Sequence, residues 1–170
     1  MPVNQLELFG NSEEMTKGAF IDSTGQYRYK LWRDWDKYKP RVTFVMLNPS
    51  TADGKEDDPT SRRCIGFAKA WGYGSLDVVN LFAYRATDPK ELLYVKDPIG
   101  PDNNLWLGLS ADHASRIVLA WGVNGTLYDR NNDVIRSLSR YGLFCLGISK
   151  EGHPKHPLYI KGDITPIKYI

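Results

Sequence analysis

The stretch that decides the fold reads Val42-Thr43-Phe44-Val45-Met46-Leu47-Asn48-Pro49-Ser50-Thr51. A run of β-branched and aromatic residues that ends at a proline predicts a buried strand, whose carboxyl end places Asn48 in a loop. In open α/β sheets, ligands bind outside the carboxyl ends of the strands. Pro49 also disfavours a helical conformation at Asn48 and removes the next backbone N–H. Asn48 is therefore the first candidate for chemistry rather than packing.

Length and composition indicate one globular domain that needs no metal or disulfide to fold. A chain of 170 residues buries about two-thirds of its extended surface. A net charge of +2 neither requires nor excludes nucleic acid as a partner. No apolar run approaches the roughly 18 residues that span a bilayer, so we expect no membrane contact and a cytoplasmic location. The isolated Cys64 and Cys145 predict buried, reduced thiols, and we expect neither metal nor cofactor.

The beginning of the chain differs from the rest. Residues 1–18 are mostly polar and are predicted to form a flexible arm, followed by a single domain over residues 19–170. Residues 19–21 and 27–32 flank the turn-forming sequence Asp22-Ser23-Thr24-Gly25 and predict a β-hairpin at the start of the domain.

After the hairpin, predicted strands alternate with predicted helices. This alternation predicts an α/β fold, a three-layer αβα sandwich with a central four-stranded, mostly parallel sheet behind the N-terminal β-hairpin. The predicted strands are 42–47, 76–82, 116–122 and 143–148, and the predicted helices are about 60–71, 102–114 and 128–140.

Two further strands end near polar residues of the kind that ligand sites use. Asn80 lies near the end of the second strand of this sheet, and two His-Pro pairs, at His153 and His156, follow the fourth. Because parallel strands end at the same edge, we expect Asn48, Asn80 and one of these histidines to lie together. Asn48 could instead bond its own backbone in a turn, and the histidines could be ordinary loop residues.

Charged residues near the first strand allow two interpretations. The acidic loop 53–58 could bind Mg²⁺, although a solvated loop is the simpler interpretation. Arg62, Arg63 and Arg85 could hold phosphates, and salt bridges to acids of the same loop explain them equally well.

Several of these segments together resemble one protein family. The chain is similar to DUF1643, a bacterial and phage domain of unknown function, over nearly everything from residue 19 onward. The segments that carry the resemblance are Met46–Asp53, Asp57–Cys64, Asn80–Thr87, Ala120–Gly122 and His156–Tyr159.

A more distant resemblance suggests an activity. Leu47-Asn48-Pro49-Ser50, the segment 78–85, Trp121-Gly122 and His156-Pro157-Leu158 are similar, in the same order, to the four motifs of uracil-DNA glycosylases. The resemblance implies the fold of those enzymes and hydrolysis of the N-glycosidic bond of a base, natural or modified, in DNA. The partner would be DNA or a nucleotide, in repair or modification.

The same resemblance implies roles for individual residues. Asn48 would position the attacking water, Asn80 would contact the edge of the base, and His156 or His153 would donate a hydrogen bond to the leaving base. The loop peptide at Pro49 would contact the backbone of the substrate. Further candidate substrate contacts are Ser50, Thr51, Tyr84, Arg62, Arg63 and Arg85.

The chain also departs from the glycosylase motifs. Met46 replaces the usual glycine and could narrow the pocket, and Leu158 replaces a small serine after the His-Pro pair. The alternative is a protein of this fold that binds nucleic acid or a nucleotide without this catalysis.

The predicted arm contains one motif of its own. Gln5-Leu6-Glu7-Leu8-Phe9 is similar to the pentapeptide with which bacterial replication and repair proteins bind the DNA polymerase sliding clamp. Gln5, Leu6, Leu8 and Phe9 are therefore candidate clamp-binding residues, and a clamp-associated adaptor is another possible function. Leu6, Leu8 and Phe9 could instead cover an apolar patch of the domain itself.

Overall fold

The structure is a computed structural model that describes residues 15–50 and 52–170. Within these residues it has a mixed α/β fold with one seven-stranded sheet and three α-helices. The strands are β1 (Thr16–Ile21), β2 (Arg28–Asp34), β3 (Arg41–Met46), β4 (Ser75–Asn80), β5 (Arg116–Leu119), β6 (Leu143–Cys145) and β7 (Ile167–Lys168). The helices are α1 (Pro59–Ala70), α2 (Asn103–His113) and α3 (Arg130–Ser137).

The strands lie in the order β1-β2-β4-β3-β5-β6-β7. The inner strand β3 pairs in parallel with β4 and with β5, and β5 pairs in parallel with β6. The outer pairs β1–β2, β2–β4 and β6–β7 are antiparallel. The predicted α/β class is thus confirmed, with a mixed sheet of seven strands.

The expectation of a four-stranded sheet with a separate hairpin was wrong. The predicted hairpin forms as β1 and β2, but β2 also bonds to the free edge of β4, where Leu31 lies opposite Val78. Antiparallel pairing satisfies backbone groups that β4 would otherwise leave exposed at a sheet edge. At the other side, β7 covers β6, and its two residues are too few to give a strand pattern in the sequence.

The first strand begins earlier than the sequence predicted. β1 starts at Thr16, so residues 16–18 belong to the sheet rather than to the arm. Gly18 pairs with Trp32, and a Cβ atom at Gly18 would lie only 2.1 Å from the Trp32 ring. The glycine therefore makes room for the cross-strand tryptophan. Residues 1–14 lie outside the described residues, and so does the candidate clamp motif at residues 5–9.

Apolar side chains cover both faces of the sheet. On one face, Phe67 of α1 belongs to the same buried cluster as Phe44 and Leu76. On the other face, Leu107 of α2 and Val134 of α3 pack in the cluster that contains residues of β3, β4 and β5. Covering both faces explains why these strands read as nearly continuous apolar runs. None of the described helices is long and apolar enough to span a bilayer.

Local signals set the helix ends. Asp58 caps α1, where its carboxylate accepts a hydrogen bond from the Ser61 N–H at 2.7 Å, and Pro59 takes the first helical position. The third helix was predicted over 128–140 but begins at Arg130, because Tyr128 and Asp129 have positive φ angles of 54° and 56°. That left-handed conformation is incompatible with continuing a right-handed helix.

One buried carboxylate joins three strands. Asp77 of β4 is fully buried and forms ion pairs with Lys30 of β2 at 3.3 Å and with Arg41 of β3 at 2.6 Å. The side chains of Lys30 and Arg41 are only 19% and 24% exposed. Loss of one member of such a group leaves poorly solvated charge behind, which is costly.

We therefore expect Asp77→Asn to lower the free energy of unfolding by about 3 kcal/mol, the lower end of the range for breaking a buried pair. Urea denaturation measures this change. Asp133→Asn is the matched control, because it breaks an ion pair with Arg136 in which the Asp133 side chain is 48% exposed. The control should cost less than about 1 kcal/mol. Equal losses in the two variants would contradict the structural role of Asp77.

Candidate functional site

A cavity of about 370 Å³ opens at the edge where β3, β4 and β5 end. This volume lies within the range of small-molecule sites, about 300–1,000 Å³. Four of the residues predicted from the sequence line it: Asn48, Ser50, Asn80 and His156. The parallel pairing of β3 with β4 and β5, and of β5 with β6, brings the segments that carry these residues together from distant parts of the chain.

Asn48 follows β3 and is held by its own amide group. Its Nδ2 atom donates to the Ala86 carbonyl at 2.8 Å and to the Pro49 carbonyl at 3.1 Å. Both partners are acceptors, so the amide nitrogen must face them and the Oδ1 atom is left as an acceptor. The bond to Pro49 is the local turn contact expected as the alternative, and the bond to Ala86 ties two loops together.

Asn80, the last residue of β4, is 1% exposed and lines the cavity. Neither its Oδ1 nor its Nδ2 atom has a hydrogen-bond partner among the described residues. Its backbone carbonyl accepts from the Asn103 Nδ2 atom at 2.9 Å, so the end of the strand is itself well anchored. The buried amide of this cavity-lining residue therefore has one acceptor and two donor hydrogens that no described group satisfies.

His156 lies in the loop after β6 and is partly buried. Its Nδ1 atom accepts a hydrogen bond from the Leu158 N–H at 3.2 Å, which leaves the hydrogen of the neutral ring on Nε2. Burial lowers the pKa of His156 below its ordinary value of 6.5, although the nearby Asp58 carboxylate acts in the opposite direction. At neutral pH the ring is therefore an uncharged donor.

Two charged residues that were not among the predicted substrate contacts also line the cavity. Arg28, at the start of β2, is 3% exposed, and its Nη1 atom donates to the Ala52 carbonyl at 2.7 Å. Burial raises the pKa of Asp58, but hydrogen bonds from Ser61 and Ser50 and the charge of Arg28 outweigh this effect. The pKa of Asp58 consequently lies below its ordinary value of 3.8, and the carboxylate is ionised at neutral pH.

The remaining wall and mouth are largely aromatic and apolar. Trp121 is 2% exposed, lines the cavity and has no partner for its Nε1–H group among the described residues. A Cβ atom at Gly125 would lie 2.3 Å from the Trp121 ring, so only glycine allows this turn to close over the indole. Leu158 and Tyr159 line the cavity beside His156 but are 47% and 84% exposed.

Other residues predicted to bind substrate lie outside the cavity lining. Arg63 donates to the carbonyls of Pro157 and Ile160 and so fastens α1 to the His-Pro loop. Arg62 is exposed and donates to the Asp57 carbonyl at 2.9 Å. Arg85 donates to the Gly25 carbonyl at 3.3 Å. These contacts are to backbone carbonyls, and not to the acids of the loop as in the salt-bridge alternative.

Three of the remaining predicted site residues, His153, Tyr84 and Pro49, do not line the cavity in the described part of the chain. The backbone N–H of His153 bonds the Ser149 hydroxyl at 3.0 Å. Tyr84 packs edge-on against Tyr27, with ring centroids 6.0 Å apart. Pro49 is buried and accepts bonds from Asn48 and from the Ala86 N–H. Thr51 lies outside the described residues.

The acidic loop is organised by an arginine. Arg33 of β2 is fully buried, pairs with Asp57 at 2.8 Å and donates to the Asp53 carbonyl at 2.8 Å. The described residues contain no cluster of three or more His, Cys, Asp or Glu side chains that could hold a metal ion. The loop thus packs onto β2 through its own backbone and one ion pair.

The cavity concentrates unsatisfied polar atoms. Nine buried side-chain nitrogen and oxygen atoms of the described residues have no hydrogen-bond partner, and four of them belong to Arg28, Asn80 and Trp121. All three residues line the cavity. Because buried polar groups in native proteins are normally bonded, the unbonded atoms of these three lining residues make the cavity a candidate ligand site.

The family comparison agrees with the resemblance seen in the sequence. The model of DUF1643, described as a protein of unknown function, matches residues 28–158, which include all the strand-end motifs. No curated protein matches the chain.

The lowered pKa of His156 predicts a pH effect on stability. As pH falls through about 6.5, the unfolded histidine gains a proton that the folded one does not yet accept, so the folded state loses stability. The melting temperature should therefore fall more between about pH 7.5 and pH 5 for the native chain than for His156→Gln. Thermal unfolding followed by circular dichroism measures both, and equal falls would show that His156 titrates normally.

Proposed function

The chain belongs to the DUF1643 family, whose function is unknown, and we propose that its cavity binds a nucleobase and hydrolyses the bond between base and sugar. The observation that carries the proposal is the buried Asn80 amide without a partner at the wall of the cavity. An unsatisfied buried polar group costs about 1–3 kcal/mol. A ligand edge that offers a donor next to an acceptor would recover that cost, and nucleobase edges have this pattern.

The proposed reaction is hydrolysis at the anomeric carbon. The bond from C1′ to the base nitrogen breaks, the oxygen of a water molecule forms a bond to C1′, and the released base takes up the proton that the water loses. The Oδ1 atom of Asn48, left free by the two bonds that its amide nitrogen makes, would accept a hydrogen bond from this water and orient it.

His156 would stabilise the departing base. As the glycosidic bond breaks, negative charge accumulates on the base and its carbonyl oxygens. The neutral ring of His156, with its hydrogen on Nε2, is a suitable donor to such an oxygen. A neutral donor strengthens its hydrogen bond as charge develops, whereas it binds the uncharged ground state only weakly.

Two further features favour a nucleic acid as substrate. The order of the motifs at β3, β4, β5 and the His-Pro loop is similar to that in uracil-DNA glycosylases. We propose that the four strands β3, β4, β5 and β6 also have the sheet architecture of those enzymes. Leu158 and Tyr159 are exposed at the cavity mouth, where apolar side chains could contact bases around an extruded nucleotide.

A second candidate is a protein that binds a base or nucleotide without hydrolysing it. The bonds of Asn48 to the Ala86 and Pro49 carbonyls favour it, because they explain that residue as a loop anchor. The side chain of Met46 also lines the cavity and occupies space that a glycine would leave for substrate. The two candidates share the base-binding role of Asn80 and differ in the role of Asn48.

The catalytic proposal predicts that Asn48→Ala lowers base release at least about 100-fold, as loss of a transition-state contact does in other enzymes. The measurement is mass spectrometry of bases released from a panel of DNA with natural and modified bases. Asn132→Ala, on the exposed side of α3, is the matched control and should release base at the native rate. Unchanged release by Asn48→Ala would rule out its proposed role. DNA binding without release by the native chain would favour the second candidate.

The base-binding proposal predicts opposite stability changes for two buried asparagines. Asn80→Leu should unfold at the same or a higher temperature than the native chain, because it removes two unsatisfied atoms. Asn103→Leu should be less stable, because the Asn103 amide bonds the carbonyls of Asn80 and Leu81. Both substitutions exchange an amide for an apolar group of similar size.

The same pair of variants separates folding from binding. Adding the base that the native chain releases should raise the melting temperature of the native chain but not that of Asn80→Leu. If Asn80→Leu were as destabilised as Asn103→Leu, the Asn80 amide would be structural, and the proposed base contact would be wrong.

A further inference from the structure

We infer that Arg28 binds a carbonyl oxygen of the nucleobase in the cavity and stabilises the negative charge that develops on the leaving base. This inference rests on the proposed function and adds a residue that lies in none of the four strand-end motifs. Arg28 lies at the cavity wall, and its guanidinium group makes one hydrogen bond among the described residues.

The guanidinium group of Arg28 is buried and charged. The residue is 3% exposed, and burial lowers its pKa to about 10, against the attraction of Asp58. The group therefore keeps its proton at neutral pH. Its Nε–H group has no hydrogen-bond partner among the described residues.

A comparison with the other two buried arginines shows that this is unusual for the chain. Arg33 pairs with Asp57 and donates to several backbone carbonyls. Arg130 donates to the Leu81 carbonyl at 2.8 Å and to the Asn104 side chain at 2.7 Å. Arg28 has one observed acceptor, the Ala52 carbonyl, and forms no ion pair within 4.0 Å in the described part of the chain. Its guanidinium group therefore makes the fewest hydrogen bonds of the three.

The surroundings of Arg28 favour a neutral ligand over a phosphate. The ionised Asp58 carboxylate lines the same cavity, so the two side chains together have no net charge. A phosphate drawn to Arg28 would be repelled by Asp58. A base presents a carbonyl acceptor for Arg28 on an uncharged ring, and the Asn80 amide is available in the same cavity for the rest of the base edge.

The contact would become stronger during the reaction. When the glycosidic bond breaks, its electron pair stays with the base, and the carbonyl oxygen gains negative charge. A buried guanidinium attracts that oxygen more strongly than the neutral carbonyl, because the site has a low dielectric constant. Arg28 would then act with His156 on the leaving base, while Asn48 acts on the water.

The experiment compares Arg28→Met with Arg33→Met in two measurements. The first is thermal unfolding without ligand. Arg28→Met should unfold within about 2 °C of the native chain or above it, because the side chain makes one hydrogen bond and no ion pair within 4.0 Å in the described part of the chain, so its replacement by an apolar group removes few contacts. Arg33→Met should fall by about 6 °C or more, because it leaves Asp57 and several carbonyls without their partner.

The second measurement is calorimetric binding of free natural and modified bases and of inorganic phosphate to the native chain and to Arg28→Met. The base that binds the native chain should bind the variant about 10- to 100-fold more weakly, the usual loss of a hydrogen bond to a charged group. Equal binding of the base by Arg28→Met, binding of phosphate in preference to every base, or binding of no base by the native chain would overturn the inference. So would destabilisation of Arg28→Met equal to that of Arg33→Met.

These outcomes can be separated from failure of the proposed hydrolysis. Base release that depends on Asn48 but not on Arg28 would leave the proposed function standing and remove only the role of Arg28. Base binding that depends on Arg28, without release from any DNA in the panel, would retain Arg28 as a binding residue and remove the hydrolysis.

Discussion

Strand β3 is bonded in parallel to β4 on one side and to β5 on the other, and this arrangement places Asn48, Asn80 and Trp121 at one edge of the sheet. Because the three strands run in the same direction, the residues that follow them emerge at one edge of the sheet. Met46 lies opposite Asn80 in this register, so Asn48 leaves the sheet just beyond it. A shift of one residue would turn the Asn80 side chain to the other face of the sheet, away from the cavity.

Four buried polar side chains show two different physical situations. Asp77 and Arg33 are fully buried, and each is paired with an opposite charge, so they connect strands and loops to the sheet. Arg28 and Asn80 are buried to nearly the same degree, yet they have polar atoms without partners and line the cavity. Proteins tolerate such unsatisfied groups where function requires them, at a cost in stability. Four of the nine such atoms among the described residues belong to residues that line the cavity.

The inner strands and the N-terminal hairpin could be predicted, whereas the pairing of the hairpin with the sheet and the short strand β7 could not. Strands β3, β4, β5 and β6 were expected because a strand that is buried on both of its faces has a continuous apolar run, as at Val42–Leu47. The place of β2 in the sheet was missed, because its pairing with β4 depends on an edge that forms only in the folded chain. In the site, Asn48, Asn80 and His156 follow or end predicted strands. Arg28 gave no such signal, because it stands at the start of a strand, among other basic and aromatic residues.

The sequence by itself determined the alternation of strands and helices, and it placed Asn48 and Asn80 near strand ends, because these features depend on local patterns of apolar and polar residues. Only the tertiary structure decided which polar residues share the cavity. His156 lines it and His153 does not, although both precede a proline in one loop. Arg28 lines it and Arg63 does not, because Arg63 is engaged by the carbonyls of Pro157 and Ile160. Burial and hydrogen-bond partners depend on residues far apart in the chain, and those contacts exist only once the sheet has formed.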